Sequence, residues 1–433
     1  MAEKVLILGL SKSGIAAAKF AASKGCDVYL TETKNEVNLE QVKELQNLGV
    51  KVEHGSHSEE FISGASFAVT SPGIPPKSEI FRRLNEKNIK IISEIEFAYL
   101  NTKTPFIAIT GTNGKTTTTA LVSHILSKKF SAPVCGNIGV PPTSLIEENH
   151  DFLVCEISSY QAQMTERFKA KIACWTNFTP DHIDWHGGLE NYFNAKAKIF
   201  LPPQEPEFAI LNAQDTKLKE FSKQCKNVIF FDDGNDCGIK NNSIFYKGEE
   251  IISLKDCPLV GHHNYQNIMC GIIIAKLVGM NNSDIREQIM SFRAPEHRLE
   301  KVREMDGITF FNDSKATNPE ASIVAIDSFN NQNVALILGG RDKNTDLTEM
   351  CHSINKHIKT VLLIGEATER FEENLKKNGF SNIIKEHTME EAIDKAISLK
   401  PDVVLLSPAC ASFDMFKSYE HRGEVFKDYV LSK

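Results

Sequence analysis

Apolar and polar positions along this chain fall into blocks of two kinds. Short apolar-rich runs recur at Lys4–Leu10 (KVLILGL), Asp27–Glu32 (DVYLTE) and Ser66–Thr70 (SFAVT). They continue at Phe106–Thr110 (FIAIT), Asp151–Ile157 (DFLVCEI) and Lys171–Thr176 (KIACWT). Thr309–Asn312, Val334–Leu338 (VALIL), Val361–Ile364 (VLLI) and Val403–Leu406 (VVLL) follow. Runs this short and this apolar predict strands buried on both faces. Between them lie longer stretches of helical pattern. One is the Ala-rich Gly14–Lys24, closed by Gly25; others begin at Lys115 and cover Gly261–Leu277. Strands alternating with helices predict parallel sheets joined by crossover helices, an α/β fold. Residues 203–257 are more polar and irregular, and GNDCGIKNNS within them reads as a loop.

The blocks group into three units. The first starts at the beginning of the chain, the second near Ser93, and the third after the segment Phe292–Arg298. No internal repeat, low-complexity tract or heptad pattern interrupts them. A length of 433 residues leaves room for two to four domains with ample core. The formal charge of −7 argues against a general nucleic-acid binder, whose footprint would be basic. Ten cysteines include no CxxC pair and no zinc spacing, and many sit in apolar runs. They read as small buried side chains in a reducing compartment. The opening MAEKVLILGL leads directly into a strand, with no signal-peptide design and no apolar run near membrane-spanning length. A cytoplasmic protein with no membrane partner is expected.

The chemistry concentrates in Thr110-Gly111-Thr112-Asn113-Gly114-Lys115-Thr116-Thr117, which follows a strand and opens a helix. A Gly-rich turn there aims backbone N–H groups at one point, and the helix dipole adds positive potential. Lys115 can reach β- and γ-phosphates, and the Thr116 hydroxyl can bind Mg²⁺. The N-terminal turn Gly9-Leu10-Ser11-Lys12-Ser13-Gly14 keeps the first and third glycines of a dinucleotide fingerprint but has Ser11 as its middle member. That departure argues against NAD and leaves room for a nucleotide diphosphate held less closely. Glu32 ends the second strand where a ribose-binding acid would stand.

Glu156 closes the strand DFLVCEI and is placed to hold Mg²⁺ beside the phosphate loop. His182 can ligate or position a metal, with Asp181 and Asp184 as supporting carboxylates. Lys196 and Lys198 lie on the next helical stretch, NYFNAKAKIF.

Together GTNGKTTT, CGNIGVP, EISSYQ, TPDHIDWH, NAKAKIF, GHHNYQN, EHRLE, FNDSKATNP, ILGGRDKN and LLSPACASFDMF resemble the Mur ligases in order and spacing, over essentially the whole chain. FNDSKATNP and SPACASFDMF point to the D-glutamate-adding branch. The resemblance implies three α/β domains, each a mostly parallel sheet with flanking helices. Residues 1–92 would be a Rossmann-like domain for the UDP-substrate, 93–297 a P-loop ATPase-like domain, and 298–433 a Rossmann-like domain for D-glutamate. It implies an ATP- and Mg²⁺-dependent monomer that joins D-glutamate to UDP-N-acetylmuramoyl-L-alanine through an acyl phosphate, in peptidoglycan precursor synthesis. A free carboxylate is a poor electrophile, and phosphorylation turns its oxygen into a leaving group.

Carried onto this sequence, the resemblance gives Gly111, Thr112, Asn113, Gly114, Lys115, Thr116 and Thr117 to the phosphates of ATP. Lys115 contacts the transferred group. Asn264 and Asn267 face the adenine, and Arg298 and Asp313 the phosphates and ribose. Thr116 and Glu156 hold a first Mg²⁺, and His182 and Lys196 serve a second, with Lys196 carbamylated by CO₂ into a carboxylate-like ligand. Lys196 aligns better than Lys198 with the family's lysine. Ser11, Lys12, Thr33, Lys34, Ser71 and Asn137 contact the UDP-substrate, and Lys315, Thr317, Lys343, Ser412 and Tyr419 line the D-glutamate site. Tyr419 stands where the family often has Phe, and Lys34 where an Arg can occur.

Rival readings are a folylpolyglutamate synthase-like enzyme or a sibling ligase, an NAD-dependent oxidoreductase, and a nucleotide sensor. The N-terminal domain argues against the folate enzyme, and NDSKATNP against the siblings. The Gly9–Gly14 departure argues against the oxidoreductase. A sensor has no use for Glu156, His182 and Lys196 together.

Overall fold

Parallel strands buried on both faces need helices above and below the sheet, and the chain builds three such sheets. A computed structural model describes residues 2–259, 261–293, 296–329, 332–342 and 345–433, without the side chains of Asp184 and Glu320. Lys343, assigned to the D-glutamate site, lies outside the described residues, as does the Asp184 side chain.

The first sheet runs Lys51–His54, Asp27–Glu32, Lys4–Leu8, Phe67–Thr70, Lys90–Ser93 in spatial order, all parallel. Side chains alternate across it. Val5, Ile7 and Val69 pack with Ala17, Phe20 and Ala21 on one face. Leu6, Leu8 and Ala68 pack with Ile62, Ile80, Phe81 and Leu84 on the other. The helix Lys12–Ser23 is capped by Lys24 and followed by Gly25, whose φ of +76° suits glycine.

The second sheet has nine strands. From one edge these are Val134–Gly136, Leu153–Glu156, Phe106–Thr110, Ile172–Trp175, Phe208–Asn212 and Val228–Phe231, then Cys237–Lys240, Ser243–Tyr246 and Glu249–Ser253. The first seven are parallel and the last two antiparallel additions. This corrects the reading of 203–257 as irregular: five strands lie there, and GNDCGIKNNS contains one of them. Cys237–Lys240 turns through Asn241 and Asn242, both at positive φ, into Ser243–Tyr246, so the polar residues are the hairpin turn. The two strands are buried but only four residues each, too short for an apolar run to stand out between the polar turns.

The third sheet runs Glu300–Met305, Ile308–Asn312, Val403–Leu406, Val334–Gly339, Thr360–Ile364, Ile383–Lys385, parallel except for the first pair. Both its faces are covered by apolar clusters.

The chain divides into two compact units, Met1–Asp256 with Gln266–Ser291, and Cys257–Tyr265 with Phe292–Lys433. The first unit holds the first two sheets, and one continuous core joins them. Within it the buried Glu96 carboxylate accepts the backbone N–H groups of Glu166, Arg167 and Phe168 at 3.0, 2.8 and 2.9 Å.

Candidate active site

The strand order of the second sheet decides which residues meet. Phe106–Thr110 lies between Leu153–Glu156 and Ile172–Trp175, with Ile109 opposite Glu156 and Thr110 opposite Trp175. All three strands end at the same edge, where ligands of parallel sheets bind. The turn after Thr110 therefore has Glu156 on one side and Thr176-Asn177 on the other.

The turn is held open by its glycines. Gly111 has φ +148°, and a Cβ there would stand 1.9 Å from Thr176 Oγ1. Gly114, at φ +80°, starts the helix Lys115–Leu126. Asn267 sits behind it, accepting from Thr118 Oγ1 at 3.0 Å. Thr176 Oγ1 donates to Asn113 O at 2.6 Å, and Asn113 N–H donates to Asn177 Oδ1 at 2.9 Å. Thr112 N–H donates to Asn177 O at 3.0 Å. These two clamping residues were missed by the sequence reading. Their only signal is position directly after a strand, and its neighbour is invisible without the sheet order.

Charged and polar side chains converge on this loop. Thr116 Oγ1 donates to Glu156 Oε2 at 2.9 Å, and Asn137 Nδ2 donates to Glu156 Oε1 at 2.8 Å. Lys115 Nζ folds back onto Gly111 O and Thr112 O at 3.0 and 2.7 Å. Lys196 Nζ also donates to Gly111 O, at 2.7 Å, and lies 4.9 Å from the Tyr192 ring centre. Thr117 is buried on the first turn of the helix. Lys196 is 1% exposed; burial, helped by the Lys115 charge, holds its pKa well below the usual lysine range. Lys198 points elsewhere, donating to Gln163 O at 2.9 Å, so only Lys196 reaches the loop. His182 sits at φ +50°. Partial burial lowers its pKa, against the pull of Asp181 and with the push of Lys196 and Lys115. Tyr192, unremarked in the sequence, shares a 3.1 Å hydrogen bond with Thr112 Oγ1 and stands one helical turn before Lys196.

Among the described residues no group of three His, Cys, Asp or Glu gathers as a metal cage. The paired Thr116 hydroxyl and Glu156 carboxylate fit Mg²⁺ instead, which takes one or two protein oxygens and fills its shell with water and phosphate.

At the same edge of the first sheet Ser11 Oγ and Ser71 Oγ lie 2.7 Å apart. Ser11 caps the helix, accepting from Gly14 N at 3.3 Å, which gives the serine a use where the fingerprint has glycine. A Cβ on Gly14 would fall 2.0 Å from Gly9 O. Glu32 accepts from Leu10 N at 3.0 Å, Lys34 N at 3.1 Å and Thr33 Oγ1 at 3.3 Å. Ser11, Thr33, Lys34 and Ser71 are thus gathered around one turn, with Lys12 exposed at the start of the helix.

In the second compact unit Asp313 is buried, accepting from Ser407 Oγ at 2.8 Å and Leu299 N at 3.1 Å. Burial raises its pKa to about 7, against those bonds and the Arg298 and Arg422 charges. Lys315 Nζ stands 5.5 Å from the Tyr419 ring centre, Ser412 is buried, and Thr317 is half-buried before the helix Pro319–Ile326. Arg422, unnoticed in the sequence, is 1% exposed. It donates to Ser314 Oγ and O at 2.9 and 2.8 Å and to Cys410 O at 3.1 Å, tying FNDSKATNP to SPACAS. Asn264 belongs to this unit and Asn267 to the first.

Three family models cover this chain: a Mur ligase MurD-like N-terminal domain at 3–93, a Mur ligase middle domain at 109–275, and a Mur ligase glutamate ligase domain at 297–410. A UDP-N-acetylmuramoylalanine–D-glutamate ligase of Caldanaerobacter subterraneus subsp. tengcongensis is 37% identical over 99% of this chain and 98% of its own. The enzyme of that name from Koribacter versatilis is 39% identical over 99% and 97%. The chain belongs to the Mur ligase family. Among solved structures, the UDP-N-acetylmuramate-alanine ligase MurC of Thermotoga maritima shares the fold, with a TM-score of 0.62 at 20% identity over 99% of this chain and all of that one. The three sheets are the Mur ligase architecture, as the sequence motifs implied.

Proposed function

We propose that this Mur ligase couples ATP hydrolysis to amide formation between the L-alanyl carboxylate of UDP-N-acetylmuramoyl-L-alanine and the amine of D-glutamate, in peptidoglycan precursor synthesis. The convergence of Lys115, Lys196 and the Thr116–Glu156 pair on one glycine turn carries the chemical half of this reading. Near full-length identity to D-glutamate ligases carries the substrate half.

The acceptor carboxylate attacks the γ-phosphorus of ATP, and ADP leaves. The amine of D-glutamate then attacks the acyl-phosphate carbon, and the tetrahedral intermediate expels inorganic phosphate as the C–N bond remains. Lys115 and the loop N–H groups neutralise charge on the transferred group, which is where such sites gain rate. Thr116 and Glu156 would hold Mg²⁺, which would supply charge neutralisation at the phosphates. Burial and the Lys115 charge favour the neutral amine of Lys196, the form that adds CO₂; the carbamate so formed would give, with His182, a donor pair for a second Mg²⁺. Asn137 orients Glu156 and faces the acceptor. Asn264, Asn267, Arg298 and Asp313 serve ATP, and Lys315, Thr317, Lys343, Ser412 and Tyr419 the D-glutamate. The fork of Arg422 positions the two loops that carry Lys315 and Ser412. Residues 1–92, 93–297 and 298–433 form the UDP-substrate, ATP and amino-acid domains. The reaction belongs in the cytoplasm, where ATP is supplied, and is carried out by a monomer.

Phosphate release from Mg-ATP tests this. It should require UDP-N-acetylmuramoyl-L-alanine and D-glutamate together, and L-glutamate should not substitute. Release with a folate acceptor and L-glutamate would keep the ATP site and overturn the substrates.

A further inference from the structure

A cavity of about 670 Å³ opens beside His182 in the first compact unit. Pro75, Pro76 and Lys77 wall it from the loop after strand Phe67–Thr70, and Gln163 and Trp185 from the second-sheet side. That volume suits a sugar-sized group. Two wall residues each bury one polar atom without a hydrogen-bond partner among the described residues: Trp185 Nε1 and Gln163 Oε1. Buried polar atoms are paired in the great majority of native structures, so two orphans in the walls of one cavity call for a ligand. They are also opposite in kind. An indole N–H only donates, and an amide oxygen only accepts. A secondary amide carries both complements, a carbonyl for the Trp185 N–H and an N–H for Gln163 Oε1. The Pro75 and Pro76 rings and the indole body offer apolar surface to whatever the amide carries. The indole packs 4.5 Å from the Tyr160 ring, and Tyr160 lies 5.0 Å from His182, which links this wall to the reacting centre.

We infer that Trp185 and Gln163 are specificity-determining residues that read an amide of the acceptor substrate in this cavity. The inference rests on the acceptor proposed above, which carries two secondary amides: the acetamido group of the sugar and the amide between lactoyl group and L-alanine. Both present the same chemistry. The Lys77 ammonium, 3.7 Å from a Cβ built on Gly187, adds a cation at the cavity wall for an acceptor that is anionic.

The test compares the acceptor with two ester isosteres, one with acetoxy in place of acetamido and one with L-lactate in place of L-alanine. Each deletes one amide N–H. Wild-type enzyme should show a KM roughly tenfold higher for one ester, and that ester identifies the amide that is read. Gln163→Leu should raise the KM for the parent acceptor by a similar factor and show no further penalty with that ester. Trp185→Phe, which keeps a ring against Tyr160, should also raise the acceptor KM, while the KM for ATP reports that the fold is intact. Esters that both match the parent in wild-type enzyme overturn the inference without using a variant. So do Gln163→Leu and Trp185→Phe proteins with the parent KM. Wild-type enzyme that releases no phosphate with the parent acceptor and D-glutamate sinks the underlying reading instead, and this inference with it.

Discussion

At the scale of single residues, two lysines share one carbonyl. Lys115 and Lys196 both donate to Gly111 O, yet one is partly buried at the loop surface and the other fully buried below it. Their predicted losses differ accordingly. On the role proposed for it, Lys115→Ala would remove a cation from the transferred phosphoryl group, and phosphate release should fall by at least ~10²-fold, the scale of deleting one preorganised charge stabiliser. Near-normal turnover would sink the phosphate-loop assignment. Lys196→Ala should be nearly inactive, and acetate at tens of millimolar or above (~10–100 mM, well beyond a KM-scale ligand) should restore part of the rate by supplying the missing carboxylate. A variant that acetate leaves silent, or one that needs no rescue, counts against the carbamate. Both lysines could be named from the sequence, because GKT and NAKAKIF are specific strings. Thr176, Asn177, Tyr192 and Arg422 could not, because a Thr, an Asn, a Tyr or an Arg acquires its role only from the loop it happens to reach.

At the scale of elements, the helix Glu94–Leu100 carries a buried carboxylate whose titration should be visible in stability. Glu94 is 3% exposed; Thr143 donates to its Oε1 through N–H and hydroxyl at 2.7 and 2.6 Å, and its Oε2 has no partner among the described residues. Burial raises its pKa to about 7, outweighing those two bonds. The folded state therefore binds a proton more tightly than the unfolded chain does. Its contribution to stability is full below about pH 4.5 and is lost as pH rises through 7. Glu94→Gln keeps both Thr143 bonds and cannot ionise. Urea unfolding at pH 5 and pH 8 should show the variant gaining on wild type with rising pH, toward roughly 3 kcal/mol. A gap that stays constant or shrinks would mean Glu94 is not the titrating group. The buried strands were readable because both-face burial writes itself as an unbroken apolar run. Lys51–His54 and Ile383–Lys385 were not, since strands at sheet edges are short and half polar, and the hairpin within 203–257 was not, since its strands are four residues each beside polar turns.

At the scale of the whole molecule, the cysteines report on the cores. All ten are thiols, seven buried and three (Cys26, Cys225 and Cys257) partly exposed. Titration with a disulfide reagent should modify at most three quickly in the native protein and all ten in denaturant. More than three fast thiols would show that the sheets open. Among the described residues no helix is long and apolar enough to cross a membrane.

Periodicity and motif strings determined the α/β class, the parallel sheets and the family, because apolar runs and glycine turns are local properties of the chain. They also placed the phosphate loop on a strand-to-helix turn. Only the tertiary structure decided how Lys196 reaches that loop, which residues clamp it, and that Trp185 and Gln163 share a cavity with Pro75. Those facts depend on strand order and on contacts between residues far apart in sequence, for example the 85 positions separating Gly111 from Lys196. No local pattern encodes such distances; burial of the whole sheet does.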